Sequence, residues 1–474
     1  MSLLEVRDLR VSAGKRKIVT GVDLSLERGE ALAIVGESGS GKSLTARSVI
    51  GILPSGVEAS GEILFEGRDL TGLSGKQMQA IRGREIAMIF QDPFTMLNPL
   101  MRCGAQIVEL LRDDRGKRLG RRERKVEATR RLEEVGIEDP AVVNAYPFEL
   151  SGGMRQRIGI AAALARDPKL LIADEPSTAL DVITQREILA RVRDLQSARG
   201  MGLILISHDL RVAFSMCDRV NVMYAGTLLE AAPSVTLEAE PRHPYTVGLL
   251  LSEPPADRRI AELTAIPGSV PDAVEVEGGC AFAPRCMWKK PQCVAAQPPL
   301  ESVGTGSDHF TACIRHREIV VELEQAAAAA EERVDVVGER SRSDRDFVRV
   351  EGLTKTFGAP GAERIVSALD RVSLELGVGE SVGLVGQSGS GKTTLGRCLL
   401  GLETPSDGLI EVDGIDATDR RRLSGSQLRT LRQQIQMVFQ DPYSTLNPVR
   451  TIGATLGEAL GVGGGIDPNR KRAI

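Results

Sequence analysis

Residues 34–43 read IVGESGSGKS, and residues 384–393 read LVGQSGSGKT. Each fits G-x-x-x-x-G-K-[ST], a loop whose backbone N–H groups cradle phosphates between a strand and a helix. Before the first loop, ALAIV is a short apolar run suited to a buried parallel strand, and SLTARSVIGIL after it has helical spacing. In that setting Gly36, Glu37, Ser38, Gly39, Ser40 and Gly41 form the cradle, reinforced by the helix N-terminus. Lys42 then reaches the β- and γ-phosphates and the Ser43 hydroxyl ligates Mg²⁺. The second copy offers Gly386, Gln387, Ser388, Gly389, Ser390, Gly391, Lys392 and Thr393 for the same tasks.

The repetition extends outward from both loops. LEVRDLRV near the start matches VRVEGLTKTF near residue 350, and IAMIFQDPFTMLNP (86–99) matches IQMVFQDPYSTLNP (435–448). Gly36 to Gly386 is an offset of 350 and Gln91 to Gln440 one of 349, so the internal spacing is held to a single residue. Two related domains are joined in one chain. The expected organisation is a complete first domain over 1–253, a Cys-rich extension over 254–320, a linker over 321–346 and an incomplete second domain over 347–474. The linker reading rests on VELEQAAAAAEERVDVVGERSRSDRD, an alanine run followed by dense charge.

Beyond the first loop, several apolar runs end in polar residues. FQDP (90–93) places Gln91 after a strand, KLLIADEP (169–176) ends in Asp174 and Glu175, and LILISHDL (203–210) ends in His208. Polar residues at strand ends lie on the carboxyl edge of a parallel sheet, where α/β proteins bind ligands. Singly, the Asp-Glu-Pro is an ordinary strand exit and the histidine an ordinary loop residue. Their order, together with LSGGMRQR at 150–157, decides otherwise.

That order resembles an ATP-binding cassette (ABC) ATPase, fully over 1–250 and partially over 346–474. QDPFTMLNP and HPYTVGLLLSEPP (243–255) are similar to the oligopeptide, dipeptide and nickel importer branch. The resemblance implies an α/β fold with a parallel-sheet core, an antiparallel β subdomain and a helical subdomain. It implies ATP and Mg²⁺, with Asp174 holding the metal, Glu175 polarising the attacking water, Gln91 sensing metal and water, and His208 contacting the γ-phosphate. Ser151, Gly152 and Gly153 would cap the γ-phosphate held by an opposite cassette. It also implies two membrane permease subunits, a separate extracytoplasmic solute-binding protein, and a place on the cytoplasmic face of the membrane. One departure stands out: the family stacks adenine on an aromatic ring, where this chain has Ala13 in the first copy and Phe357 in the second.

After Gln440 the sequence shows no second LSGGQ, apolar-DE strand or switch histidine. The strands expected beside the second loop's own strand are therefore missing, which predicts unpaired edges and bare apolar faces there. A truncated form of a longer protein is the expectation, and two chains pairing through their first cassettes would complete both sites.

Four of the seven cysteines, Cys280, Cys286, Cys293 and Cys313, cluster with spacings x₅, x₆ and x₁₉. Four thiolates suit an iron–sulfur cluster or zinc, although zinc sites commonly use C-x₂₋₄-C pairs. Four free thiols in a proline-rich segment is the plain alternative. The segment resembles the cysteine-bearing extension of peptide-importer ATPases, some of which hold a [4Fe–4S] cluster, and on that ground iron–sulfur leads. Cys103, Cys217 and Cys398 read as packing residues.

Residues 112–131 hold ten Lys or Arg, either a solvated helix face or a contact for lipid headgroups or a permease loop. The net charge of −4 and the few aromatics give no footing for nucleic acid. A tandem ATPase acting on nucleic acid or ribosomes is the competing function, but no inserted module fits between Ser43 and the signature. No stretch is long and apolar enough for a membrane span.

Overall fold

The computed structural model describes residues 2–92, 96–113, 115–176, 181–254, 264–304, 306–331, 345–358, 366–387, 389–439 and 446–462. The chain divides into two compact units, residues 1–337 and 338–474. The expected Gln440 and Ser388 lie outside the described residues.

In the first unit, β1 (Ser2–Ala13) and β2 (Arg16–Glu27) form a hairpin, followed by β3 (Ala31–Val35), β4 (Val57–Phe65), β5 (Arg68–Asp69) and β6 (Ile86–Ile89). Later come β7 (Leu170–Asp174), β8 (Gly202–Ser207), β9 (Arg219–Tyr224), β10 (Thr227–Pro233), β11 (Glu301–Ser302) and β12 (Phe310–Thr311). One sheet is antiparallel, in the order β2-β1-β4-β5. The other runs β11-β12-β10-β9-β3-β8-β7-β6, and its stretch from β9 to β6 is parallel. ALAIV lies inside that stretch, between β9 and β8, because all five residues are apolar and buried on both faces, as parallel strands under helices must be. Helices Cys103–Ile107, Arg121–Glu134 and Gly152–Leu164 make the helical region.

The Cys-containing segment is knit into this unit. Strand β12 pairs with β10, Ala281, Phe282 and Ala312 enter the main core, and Arg16 and Lys17 bond Asp272 and Glu277. Cys103 and Cys217 are buried packing residues, as is Cys398 in the second unit. The basic run is only partly a solvated face. Arg131 is buried, where its guanidinium bonds Asp167, Glu127 and Glu134.

The second unit contains β13 (Asp346–Phe357), β14 (Val366–Gly377), β15 (Asp407–Val412) and β16 (Ile415–Asp416), in one antiparallel sheet ordered β14-β13-β15-β16. Its core joins that sheet to helices Lys392–Leu399 and Gly425–Gln434. Residues 381–385, the counterpart of β3, form no strand, and Val385 is 90% exposed.

Candidate nucleotide site

The site grows from the turn after β3. Gly36 has φ 147°, and a Cβ there would sit 2.1 Å from the Met223 carbonyl of β9, so only glycine lets the loop lie this close to the sheet. The lysine then closes the loop on itself. Lys42 Nζ donates to the carbonyls of Gly36 (2.7 Å) and Glu37 (2.9 Å) and sits 3.4 Å from Ser40 Oγ. Burial pushes this ammonium below its ordinary value, while the carboxylates of Glu175, Asp174 and Glu37 oppose that shift.

Strand β7 delivers the acids. Asp174 is 1% exposed, and its Oδ1 accepts the Ser43 hydroxyl at 2.8 Å. Its Oδ2 is buried without a hydrogen bond and lies 3.7 Å from the Arg47 guanidinium. Burial raises the Asp174 pKa. A buried carboxylate with an unused oxygen beside a serine hydroxyl fits a hard cation such as Mg²⁺, whose charge would offset the desolvation.

Glu175 follows in the left-handed region at φ 47°, a conformation that costs a non-glycine residue about 1–3 kcal/mol and gathers at functional sites. Its carboxylate is clasped between two of the expected partners. Gln91 Nε2 donates to Oε2 at 2.9 Å, and His208 Nδ1 lies 3.4 Å from Oε1. The His208 contact holds Glu175 below its ordinary pKa, and Glu175 in turn raises that of His208.

Lys42, Ser43, Asp174, Glu175, Gln91 and His208 are thus brought together. Ser151, Gly152 and Gly153 are not joined to them by any hydrogen bond among the described residues. Ser151 caps the helix Gly152–Leu164 by accepting the Met154 N–H, and a Cβ on Gly152 would meet open space. A helix N-terminus of this kind favours an anion. In the second unit Lys392 Nζ repeats the closure, on Gly386 O (2.6 Å), Gln387 O (2.7 Å) and Ser390 Oγ (3.4 Å). Phe357 there lies under Lys355 Nζ, 4.8 Å from its centroid.

Three contacts were not foreseen from sequence: Arg47 beside Asp174, the Tyr245 hydroxyl accepting the Glu37 N–H at 2.8 Å, and Arg285 on the Glu37 carboxylate. Tyr245 lies in the HPYTVGLLL stretch and Arg285 in GCAFAPRC (279–286), beside Cys286.

Cys280, Cys286, Cys293 and Cys313 line one cavity with Phe282, Trp288 and His243. Burial pushes the thiol of Cys286 up to about 11 and that of Cys313 up to about 12. Among the described residues no group of three or more His, Cys, Asp or Glu is arranged to hold a metal ion, so the expected cluster is not formed by the side chains as they stand.

A phosphate loop, a buried aspartate and a constrained glutamate at the carboxyl edge of a parallel sheet define a P-loop ATPase. Residues 19–178 and 369–471 match the ABC transporter family model, and residues 229–293 match the oligopeptide/dipeptide transporter C-terminal region. The chain belongs to the ABC transporter family and is its ATP-hydrolysing kind of subunit. It is 41% identical over 477 residues to the oligopeptide transport ATP-binding protein OppD of Mycobacterium tuberculosis, covering 98% of this chain and 76% of that one. It is 48% identical over 309 residues to the OppD protein of Bacillus subtilis, covering 64% and 86% respectively. Among solved structures, cbiO1 of Clostridium perfringens is 29% identical, with half of this chain and 91% of that one aligned at a TM-score of 0.44.

Proposed function

We propose that the chain is the energy-coupling ATPase of an importer for di- or oligopeptides, or for related small solutes such as nickel or glutathione. The convergence of Lys42, Ser43, Asp174, Glu175, Gln91 and His208 carries the reading, and the relatives' names supply the cargo class. Lys42 and the N–H groups of Gly39 to Ser43 bind the triphosphate. Ser43, Asp174 and Gln91 would hold Mg²⁺, which would supply positive charge against the phosphates. Glu175 takes the proton of the attacking water as the new P–O bond forms and the bond to the β-phosphate oxygen breaks. Because Gln91 and His208 occupy both Glu175 oxygens, they fix where that base points.

Ser151, Gly152 and Gly153 cap a triphosphate held by another cassette, supplied by a second copy of the first unit. Gly386 to Thr393 form a second phosphate cradle that keeps its lysine closure, with Gln440 as the counterpart of Gln91. Two permease subunits and an extracytoplasmic solute-binding protein complete the transporter, and the chain docks on the cytoplasmic face. Among the described residues no helix is long and apolar enough to cross a membrane, so contact with the bilayer goes through those partners. The four cysteines around one cavity fit a soft metal group in donor chemistry, a [4Fe–4S] cluster ahead of zinc, with a structural or regulatory role. Stoichiometric zinc without iron in protein purified without oxygen would overturn the iron–sulfur choice.

Reconstitution with the permeases and binding protein in liposomes tests the whole. Peptide should stimulate ATP hydrolysis and accumulate inside. ATPase activity indifferent to peptide, or tight salt-sensitive binding of DNA or RNA, would sink the importer reading.

A further inference from the structure

Arg285 lies next to Cys286, yet its guanidinium reaches the phosphate loop. Nη1 donates to Glu37 Oε2 at 2.6 Å and Nη2 to Oε1 at 3.1 Å, a bidentate fork across 248 positions of sequence. The same group donates to the carbonyls of Pro267 (2.7 Å), Ile266 (3.1 Å) and Gly268 (3.3 Å) and to the Tyr224 hydroxyl (3.3 Å). It also stands 5.7 Å from the Tyr224 ring centroid. The Arg285 side chain is 7% exposed and that of Glu37 26%, so the carboxylate keeps contact with solvent while the guanidinium does not.

Glu37 poses a problem that Arg285 answers. It puts a carboxylate in a loop whose task is to hold polyphosphate, and its field is already felt at Lys42. Unpaired, that charge would oppose the nucleotide. We propose that Arg285 is a positioning residue for ATP: it neutralises Glu37 and, with the Tyr245 hydroxyl on the Glu37 N–H, sets the loop for phosphate. Nucleotide affinity is thereby tied to the seat of the cysteine-bearing segment. The proposal rests on Lys42 being the phosphate lysine.

The test is Mg-ATP affinity of the full chain by fluorescent-nucleotide displacement. Arg285→Ala should weaken binding about tenfold at low salt, with the loss shrinking as salt rises. Glu37→Gln should bind about threefold tighter, and the double variant should recover most of the Arg285→Ala loss. A double variant as weak as Arg285→Ala would reduce Arg285 to a structural prop, and unchanged affinity in Arg285→Ala would end the idea. If Arg285→Ala folds poorly, Arg285→Lys decides: it keeps the charge while losing the fork, so a full tenfold loss would overturn the proposal. Lys42→Ala separates the two readings, since wild-type binding by that variant would refute the nucleotide site itself, whatever Arg285 does.

Discussion

Ala31–Val35 and residues 381–385 precede matching loops, and their fates differ. The first is a strand with every residue buried between β8 and β9. The second is unpaired among the described residues, with Leu384 at 52% and Val385 at 90% exposure. The loops that follow are nonetheless alike, each closed by its lysine on the same two carbonyls and serine. Loop shape is local and follows from a few residues. A seat in a parallel sheet is not: β8 and β9 arrive more than 160 residues after β3, and the described residues of the second unit form no counterpart of them.

The sharpest way to break this contrast is at the base. Glu175→Gln should lower ATP turnover about 10²–10⁴-fold while ATP still binds, because the second unit offers no acid pair at a sheet edge among its described residues. Turnover within tenfold of wild type would show that the second loop works without its sheet. Next in size is packing. Ile34→Ala, in the core, should cost about 2–5 kcal/mol, whereas its exposed counterpart Leu384→Ala should change stability by no more than about 0.5 kcal/mol. Denaturant unfolding of each variant measures both, and equal losses would place residues 381–385 in a core after all.

The smallest effect concerns His208. Its pKa is raised by Glu175, so its contribution is complete below the ordinary histidine value of 6.5 and fades as pH climbs through the raised value. Glu175, lowered by His208, contributes above its ordinary 4.5 and loses that as pH falls through the lowered value. His208→Gln should therefore cost about 0.5 kcal/mol or less near about pH 6, the histidine being largely exposed, and nothing near about pH 9. A penalty that grows with pH would contradict the pairing.

Much of the site was legible because each residue sits in a short motif at the end of an apolar run. Gln91, Asp174, Glu175 and His208 could be gathered by the rule that strand ends share an edge, and their order around LSGGMRQR, with the family resemblance, told them from ordinary strand exits. Arg285 and Tyr245 were not legible, since nothing local in GCAFAPRC or HPYTVG says that a side chain crosses 248 or 208 positions to one glutamate. Nor did spacing place β12 against β10, a two-residue pairing without hydrophobic alternation to announce it. The cysteines could be grouped by sequence, and they do surround one cavity, but among the described residues they are not arranged to hold a metal ion.

That two-residue pairing has a consequence for how molecules meet one another. β12 takes up Glu230 and Ala231 of β10, and β11 pairs in turn with β12. Two of the seven β10 residues are thereby withdrawn from an edge on which another strand could template.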